Sequence, residues 1–546
     1  MTPIVQGAAI CVFSIIAWQV LRKIFSRSSF DNVRGPPASS FWQGHYPDFF
    51  DRHSWNFHRS LSEKYGSVVA LRGLFNKKML YLHDPKAMHH ICVKDQAVYE
   101  ESSGFLTTTR IMFGDGLLSS NGDHHRRQRK MLNPVFSINH MRRMVPVFNT
   151  VSQRLKTAMT ASLQKSPKGE IDISFWMSRM ALELIGQAGL GYSFDPLVED
   201  TPNAFAAALK SLPSALQPFQ PFREIVPLIY NTFPHSFLER IVKALPFQSV
   251  QKAWKISNTM ETVSKEILAG KRAAIAAGDE AVTAQVGEGR DLISILMNEN
   301  SKTSEQERIS DEELLGHMSV FTSAATDTTS SALTRTMYML AEHPDVQAKL
   351  RKELQEAHAD GRELSYDELV ALPYMDAVCR ETLRLHAPVP FMSRVARKDA
   401  ILPLHTPIRG KDGQMIDEIA IPNGTLIYLD ILGSNRDPLI WGEDAHEWKP
   451  ERWLSPLPES VLEARIPGIY SHLMTFLAGG RACIGFKFSQ LEMKVVLAML
   501  VMNFSFELPK DKEIYWNFSG IVYPTVGSVD TKMQLPLQVS VVKQAA

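Results

Sequence analysis

Hydrophobic and polar positions fall into distinct regimes along the chain. The first is an uncharged apolar run, IVQGAAICVFSIIAWQVL, over residues 4–21. Its length is close to the roughly 20 residues that span a bilayer as a helix. Arg22, Lys23 and Arg27 follow it and no Lys or Arg precedes it. That order predicts a transmembrane anchor with the rest of the chain on the cytoplasmic side. A cleaved signal peptide would carry its charge before the run. Residues 22–45 are basic and Pro-rich, and Gly35-Pro36-Pro37 marks them as a stiff hinge.

Period-two patterning comes next. GSVVALRG and KMLYLHD, at 66–73 and 78–84, are spaced like a hairpin. A further β-patterned run, IDEIAIPNGTLIYLDI at 416–431, carries the turn signal Asn423-Gly424. Helical periodicity dominates elsewhere. The clearest case starts at Ser310, whose spacing to Glu313 reads as a capping box, and stops at His343-Pro344. A helix of more than 30 residues lies between those signals and should cross the whole core. Residues 273–291, AAIAAGDEAVTAQVGEGRD, are small and polar and predict an exposed loop. Nothing divides 46–546 into separate domains.

Composition narrows the classes. The chain has 546 residues, 45% apolar and 21% charged, with a net charge of +1, which suits a large globular core. Basic clusters interleaved with aromatics are missing, so a nucleic-acid partner is not expected. Cys11, Cys92, Cys379 and Cys483 are too scattered for a disulfide framework or a zinc site. A reducing compartment fits them better.

One cysteine carries chemistry. Cys483 sits in FLAGGRACIG, residues 476–485. A thiolate is a strongly donating axial ligand for haem iron. Glycines let a loop turn tightly enough to aim backbone N–H groups at the sulfur, and Arg481 suits a haem carboxylate. A plain buried cysteine in a Gly-rich turn is the competing reading of those few residues. Phe476, Gly479, Arg481, Cys483 and Gly485 together form F-x-x-G-x-R-x-C-x-G. That string resembles the haem-binding signature of the cytochrome P450 family.

Upstream motifs extend the resemblance. RETLRLHAPVP supplies E-x-x-R as Glu381 and Arg384, and WKPERW supplies Arg452. These three resemble the family's structural triad, which locks the loop behind the haem. AATDTT, residues 324–329, is similar to the family's acid–alcohol motif over the oxygen site. The resemblance gives Asp327 the role of feeding protons inward and Thr328 that of holding their acceptor. A mid-helix threonine can equally bond back to a carbonyl one turn earlier. Ala325 stands where the family usually has Gly, so its methyl would narrow the oxygen groove or straighten the helix. In DHHRRQRKMLNPVF, His125 takes the place of the family's Trp and Arg129 that of its Arg. In PFMSRVARKD, Arg394 matches a further haem-carboxylate partner.

The resemblance covers nearly the whole chain. It implies a mainly α P450 fold with small β-sheets, following one N-terminal transmembrane helix, with residues 46–546 as the catalytic domain. It implies haem b with Cys483 as the iron ligand, and insertion of one atom of O2 into a substrate while the other leaves as water. No flavin or nicotinamide fingerprint is present. Electrons are therefore expected from NADPH through a separate flavoprotein, NADPH–cytochrome P450 reductase, with cytochrome b5 as an accessory donor. The expected location is the endoplasmic reticulum membrane, with the catalytic domain facing the cytosol. Arg129, Lys130 and Lys487 are the expected docking contacts on the cysteine side. The segments at 104–116, 212–234, 387–393 and 517–527 should surround the pocket; they are mostly apolar and small, which favours a lipophilic substrate. Residues 212–235 are also candidates for dipping into the membrane surface. VRGPP and the stretch around His125 look like fungal members, which tailor terpenoids and other secondary metabolites or oxidise foreign aromatics. Two other readings remain: a P450-fold enzyme that rearranges peroxides without O2, and a non-catalytic haem-thiolate sensor. Asp327-Thr328 argues against both.

Overall fold

The computed structural model describes residues 14, 18, 30–197 and 204–542. The predicted anchor, 4–21, lies outside them apart from Ser14 and Trp18. Among the described residues no helix is long and apolar enough to cross a membrane. The described residues form a mainly helical fold with four small sheets. Its strands are β1 (Val68–Arg72), β2 (Lys78–Leu82), β3 (Tyr99–Glu100), β4 (Glu170–Asp172), β5 (Phe391–Ala396), β6 (Ala400–Arg409), β7 (Met415–Ile421), β8 (Leu426–Asp430), β9 (Phe504–Glu507), β10 (Ile514–Ser519), β11 (Ile521–Val526) and β12 (Pro536–Val541). The largest sheet runs β1-β2-β8-β5-β3.

The early hairpin forms as its spacing predicts, with Val68 opposite Leu82. The later run behaves differently. Its turn forms, with Gly424 at φ +82°, but the strands on either side join different sheets. β7 pairs with β6, whereas β8 lies between β2 and β5. Burial explains the split. All five residues of β8 are buried, as in an interior strand, while β7 is largely exposed and suits a two-stranded ribbon. The turn signal was local; the choice of neighbour was tertiary.

Within 22–45, the residues from Phe30 onward are docked on this sheet. Phe30 and Val33 are buried, and the Ala70 amide donates to Arg34 O at 2.9 Å. Gly35 lies flush on the Ala70 backbone, where a side chain would overlap it. The rigid Pro-containing stretch is thus laid along the edge of β1.

Eight helices position the site: α1 (Ser103–Phe113), α2 (Gly122–Leu132), α3 (Ile138–Lys165), α4 (Ile173–Leu184), α5 (Gln248–Ala277), α6 (Asp311–Glu342), α7 (Pro373–Leu385) and α8 (Phe486–Asn503). α6 is the long helix predicted from Ser310. The Ser310 hydroxyl accepts from the Glu313 amide and the Glu313 carboxylate accepts from the Ser310 amide, completing the capping box. Leu314, Met318, Phe321, Leu333, Met337 and Leu340 bury different sides of α6, as befits a helix wrapped by α4, α5, α7 and α8. Residues 273–291 are not all loop. α5 continues to Ala277 and a short helix follows at Asp279–Thr283. The alanines favour helix, and the buried pair Lys271–Asp291 at 2.8 Å ties α5 to the start of the following helix.

Gly316 marks the closest approach to α6. A Cβ there would overlap the Asp115 carbonyl, in the turn that leads to Leu117 and Leu118. In an open helix Gly→Ala would stabilise by about 1 kcal/mol. Gly316→Ala is expected instead to destabilise by about 1–3 kcal/mol through overpacking. Thermal unfolding checks the sign, and an unchanged or raised midpoint would refute the close approach.

Candidate active site: a thiol facing an apolar cavity

The cysteine loop is built from short turns at Met474–Phe476 and Gly479–Arg481, followed by α8. The Cys483 amide donates to Phe476 O at 2.9 Å, closing the loop. Gly479 has φ +65° and lies against the Cys92 carbonyl, so only glycine fits there. The Gly480 amide donates to Gln96 Oε1 at 2.9 Å. Cys92 and Cys379 are buried, and burial pushes their thiols up to about 11 and about 12. Cys483 is the exposed one of the three and opens into a cavity. Its thiol is also raised by the surrounding protein, while the Gly485 N–H and the Arg129 charge pull the other way. A bound cation is what would complete the stabilisation of a thiolate there.

α6 forms the facing wall. Ala324, Ala325, Thr328 and Thr329 line the cavity together with Phe321 and Ile484. Thr328 Oγ1 donates to Ala324 O at 2.7 Å, the back-bond open to any helical threonine. α6 continues unbroken past Ala325, whose methyl stands in the wall. Asp327 is next to Thr328 but outside the wall. Burial pushes its carboxyl up to about 7, with the Lys210 charge opposing. Thr329 Oγ1 meets Ser489 Oγ at 3.1 Å, linking α6 to α8.

Basic side chains gather at one side. Among the described residues, His125, Arg129 and Arg481 line the cavity with a single acid, Glu101. Arg129 Nη1 donates to Ala482 O at 2.6 Å. Arg481 Nη2 binds Glu100 Oε2 at 2.9 Å and Ser120 O at 3.0 Å. Arg394 is buried outside the wall and reaches it through Glu101, at 2.9 Å. His125 is buried and its ring is pushed down to about 3, by burial first and then by Arg481, Arg129 and Arg394. Arg481 Nε and Arg394 Nη2 are buried with no hydrogen-bond partner among the described residues. Orphaned charged donors are costly, and a ligand bearing carboxylates would satisfy them. A haem fits this donor set: sulfur for its iron, guanidinium nitrogens for its carboxylates and apolar walls for its ring.

A buried network fixes the loop from behind. Arg384 and Glu381, both fully buried on α7, form two parallel bonds of 2.8 Å. Glu381 also accepts from Trp453 Nε1 at 2.9 Å and the Lys449 amide at 3.0 Å. Arg452 reaches Glu381 only at 3.5 Å; its closer partner is Asp444, at 2.8 Å. Arg384 donates to Ala445 O and Asn435 O at 2.6 and 3.0 Å. The Asn435 side chain accepts from the Met474 amide and donates to Thr475 Oγ1, each at 2.8 Å. Thus the Glu381–Arg384 pair holds the cysteine loop through Asn435, which the sequence did not single out. Glu313 also grips α2, accepting from Gln128 Nε2 at 2.7 Å and meeting His124 Nε2 at 2.6 Å. Its carboxyl is held low despite burial by the Ser310 amide, Gln128, His124 and Arg127.

A single cysteine presented to a cavity between a long helix and a cysteine loop, beside clustered arginines, defines a haem-thiolate protein. The Cytochrome P450 family model matches residues 34–527, and the chain belongs to that family. Cytochrome P450 monooxygenase 91 of Postia placenta is 51% identical over 543 residues, covering 100% of both chains. Ganoderic acid synthetase CYP5150L8 of Ganoderma lucidum is 45% identical, covering 97% of each. A monooxygenase named eriI from Hericium erinaceus is 36% identical, covering 98% of this chain and 97% of its own. The protein is therefore a cytochrome P450 monooxygenase.

Asp327 gives a signed pH prediction. Its carboxyl is raised from 3.8 to about 7 in the fold, so between those values the folded state binds more protons than the unfolded one. Stability on this account is highest below 3.8 and falls as pH rises toward 7. Asp327→Asn should flatten that slope and raise the thermal midpoint at pH about 8 relative to the parent. A parallel offset at every pH would refute the assignment.

Proposed function

We propose that this enzyme oxidises a lipophilic small molecule at the endoplasmic reticulum membrane, using O2 and electrons passed from NADPH by cytochrome P450 reductase. The observation that carries the reading is Cys483 open to an apolar cavity beside two arginines with unpaired buried nitrogens. In this reading Cys483 holds the iron of haem b, and His125, Arg129, Arg394 and Arg481 serve its carboxylates. Phe476 and Gly485 shape the loop. When bound, the haem supplies the oxygen-activating chemistry, and the cysteinate tunes its electronics.

The chain's own residues handle protons. Thr328 has its hydroxyl proton committed to Ala324 O. It therefore presents lone pairs to the cavity and orients an incoming donor. Asp327, whose carboxyl burial raises to about 7, is suited to give and regain a proton near neutral pH. Ala325 keeps α6 regular and fills part of the groove beside them. Glu381, Arg384 and Arg452 stay outside the reaction and hold the loop.

Phe222, Leu228, Ile229, Phe233 and Phe237 are exposed on one stretch of chain and support membrane contact there, in addition to the anchor proposed at 4–21. Arg129 is turned into the cysteine loop, so Lys130, which is exposed, is the stronger docking contact of the expected three, ahead of Lys487. The biosynthetic name of the Ganoderma relative supports secondary metabolism over degradation.

The test is a spin-state titration of the purified haem protein against terpenoids, fatty acids, steroids and polycyclic aromatics. A saturable shift toward high spin is expected with one lipophilic class, together with reductase-dependent NADPH use and product. Cys483→Ser should abolish the haem-thiolate absorption and all turnover. A parent protein without that absorption would sink the reading.

A further inference from the structure

Arg394 and Arg481 come from different elements, yet each is held by one of two consecutive acids. β3 pairs with β5 as Tyr99↔Ala396 and Glu100↔Val395. The same register places Glu101 opposite Arg394, and Glu101 Oε1 lies 2.9 Å from Arg394 Nη1. Successive residues of an extended chain face opposite ways. Glu100 accordingly turns to the other side and takes Arg481 Nη2 at 2.9 Å, from the cysteine loop. Each arginine spends one nitrogen on a protein acid. Each keeps another buried nitrogen free: Nη2 of Arg394 and Nε of Arg481.

We propose that Glu100 and Glu101 are positioning residues for the haem, holding the two guanidiniums in place so that their free nitrogens await its carboxylates. The inference rests on the haem-thiolate reading of Cys483. Arginine has a long, rotamer-rich side chain, and ordering it before binding removes an entropy cost from the binding step. The acids also share the arginine charge, which weakens its pull on a cofactor carboxylate. Positioning outweighs that loss here because both arginines are largely buried. Without a counter-charge, a buried guanidinium turns away toward water. The two acids also tie the sheet to the cysteine loop, since Arg481 is two residues from Cys483.

The experiment follows haem loss from the full-length holoenzyme to excess apomyoglobin. Glu101→Ala should speed haem loss about tenfold, the scale of one lost charged hydrogen bond. Glu101→Gln, which keeps the shape and an acceptor, should speed it about threefold. Glu101→Asp should restore most of the parent rate. If Glu101 acts through Arg394, adding Glu101→Ala to Arg394→Ala should change the rate less than about twofold. Glu100→Ala and Arg481→Ala should show the same coupling. Haem loss at the parent rate or slower in both Glu101→Ala and Glu101→Gln would overturn the proposal, as would full additivity with Arg394→Ala. A parent protein with normal haem-thiolate absorption separates that failure from failure of the Cys483 reading.

Discussion

The fully buried Glu381–Arg384 ion pair is the constraint on which the site depends. Two charges taken out of water are stable only if their remaining bonding capacity is filled. Here the filling is done by carbonyls and amides from residues 435–449 and by Trp453. The pair therefore dictates the path of a long irregular segment. Asn435 passes that order to Met474 and Thr475, a few residues before the cysteine. Loss of either charge would leave the other buried and unpaired, at a cost of about 3–5 kcal/mol. The damage would reach the thiol without any contact between the pair and the cavity.

The second constraint is the placement of α6. Its first turn is capped by Ser310 and Glu313, and the Glu313 carboxylate also receives α2, the helix of His125 and Arg129. Its middle supplies Ala324, Ala325 and Thr328 to the cavity, and Thr329 fastens it to Ser489 on α8. The thiol, Asp327 with Thr328, and the basic edge of the cavity are thereby referenced to one rod. Sequence order has little to do with their proximity, since they come from positions 125, 327 and 483.

Much of this is legible in the sequence. The cysteine string, E-x-x-R, the acid–alcohol pair and the capping box are local patterns whose chemistry demands fixed spacing. The length of α6 followed from its two end signals. What stayed hidden was relational. The strands flanking Asn423-Gly424 part because one has buried neighbours on both sides, which no turn residue announces. The Lys271–Asp291 pair that ties the end of α5 to the next helix start joins residues twenty apart, which no local pattern announces. Glu100 and Glu101 look like ordinary charges in a strand, and only the register shows that each holds an arginine. Arg452 was expected to complete a triad with Glu381 but leans mainly on Asp444.

The shared grip of Glu313 on α6 and α2 has a consequence for how such an enzyme diversifies. The two helices that bring Ala325 and Arg129 to the cavity are clamped together, so a shift in one carries to the other. The α1 side, with Phe105 in the cavity wall, is tied instead to the segment above it, through Ser102 to Glu224. Changes in that part would leave the Glu313 clamp between α6 and α2 as it is. A lineage of such enzymes could multiply its chemistry by changing the doorway and leaving the furnace alone.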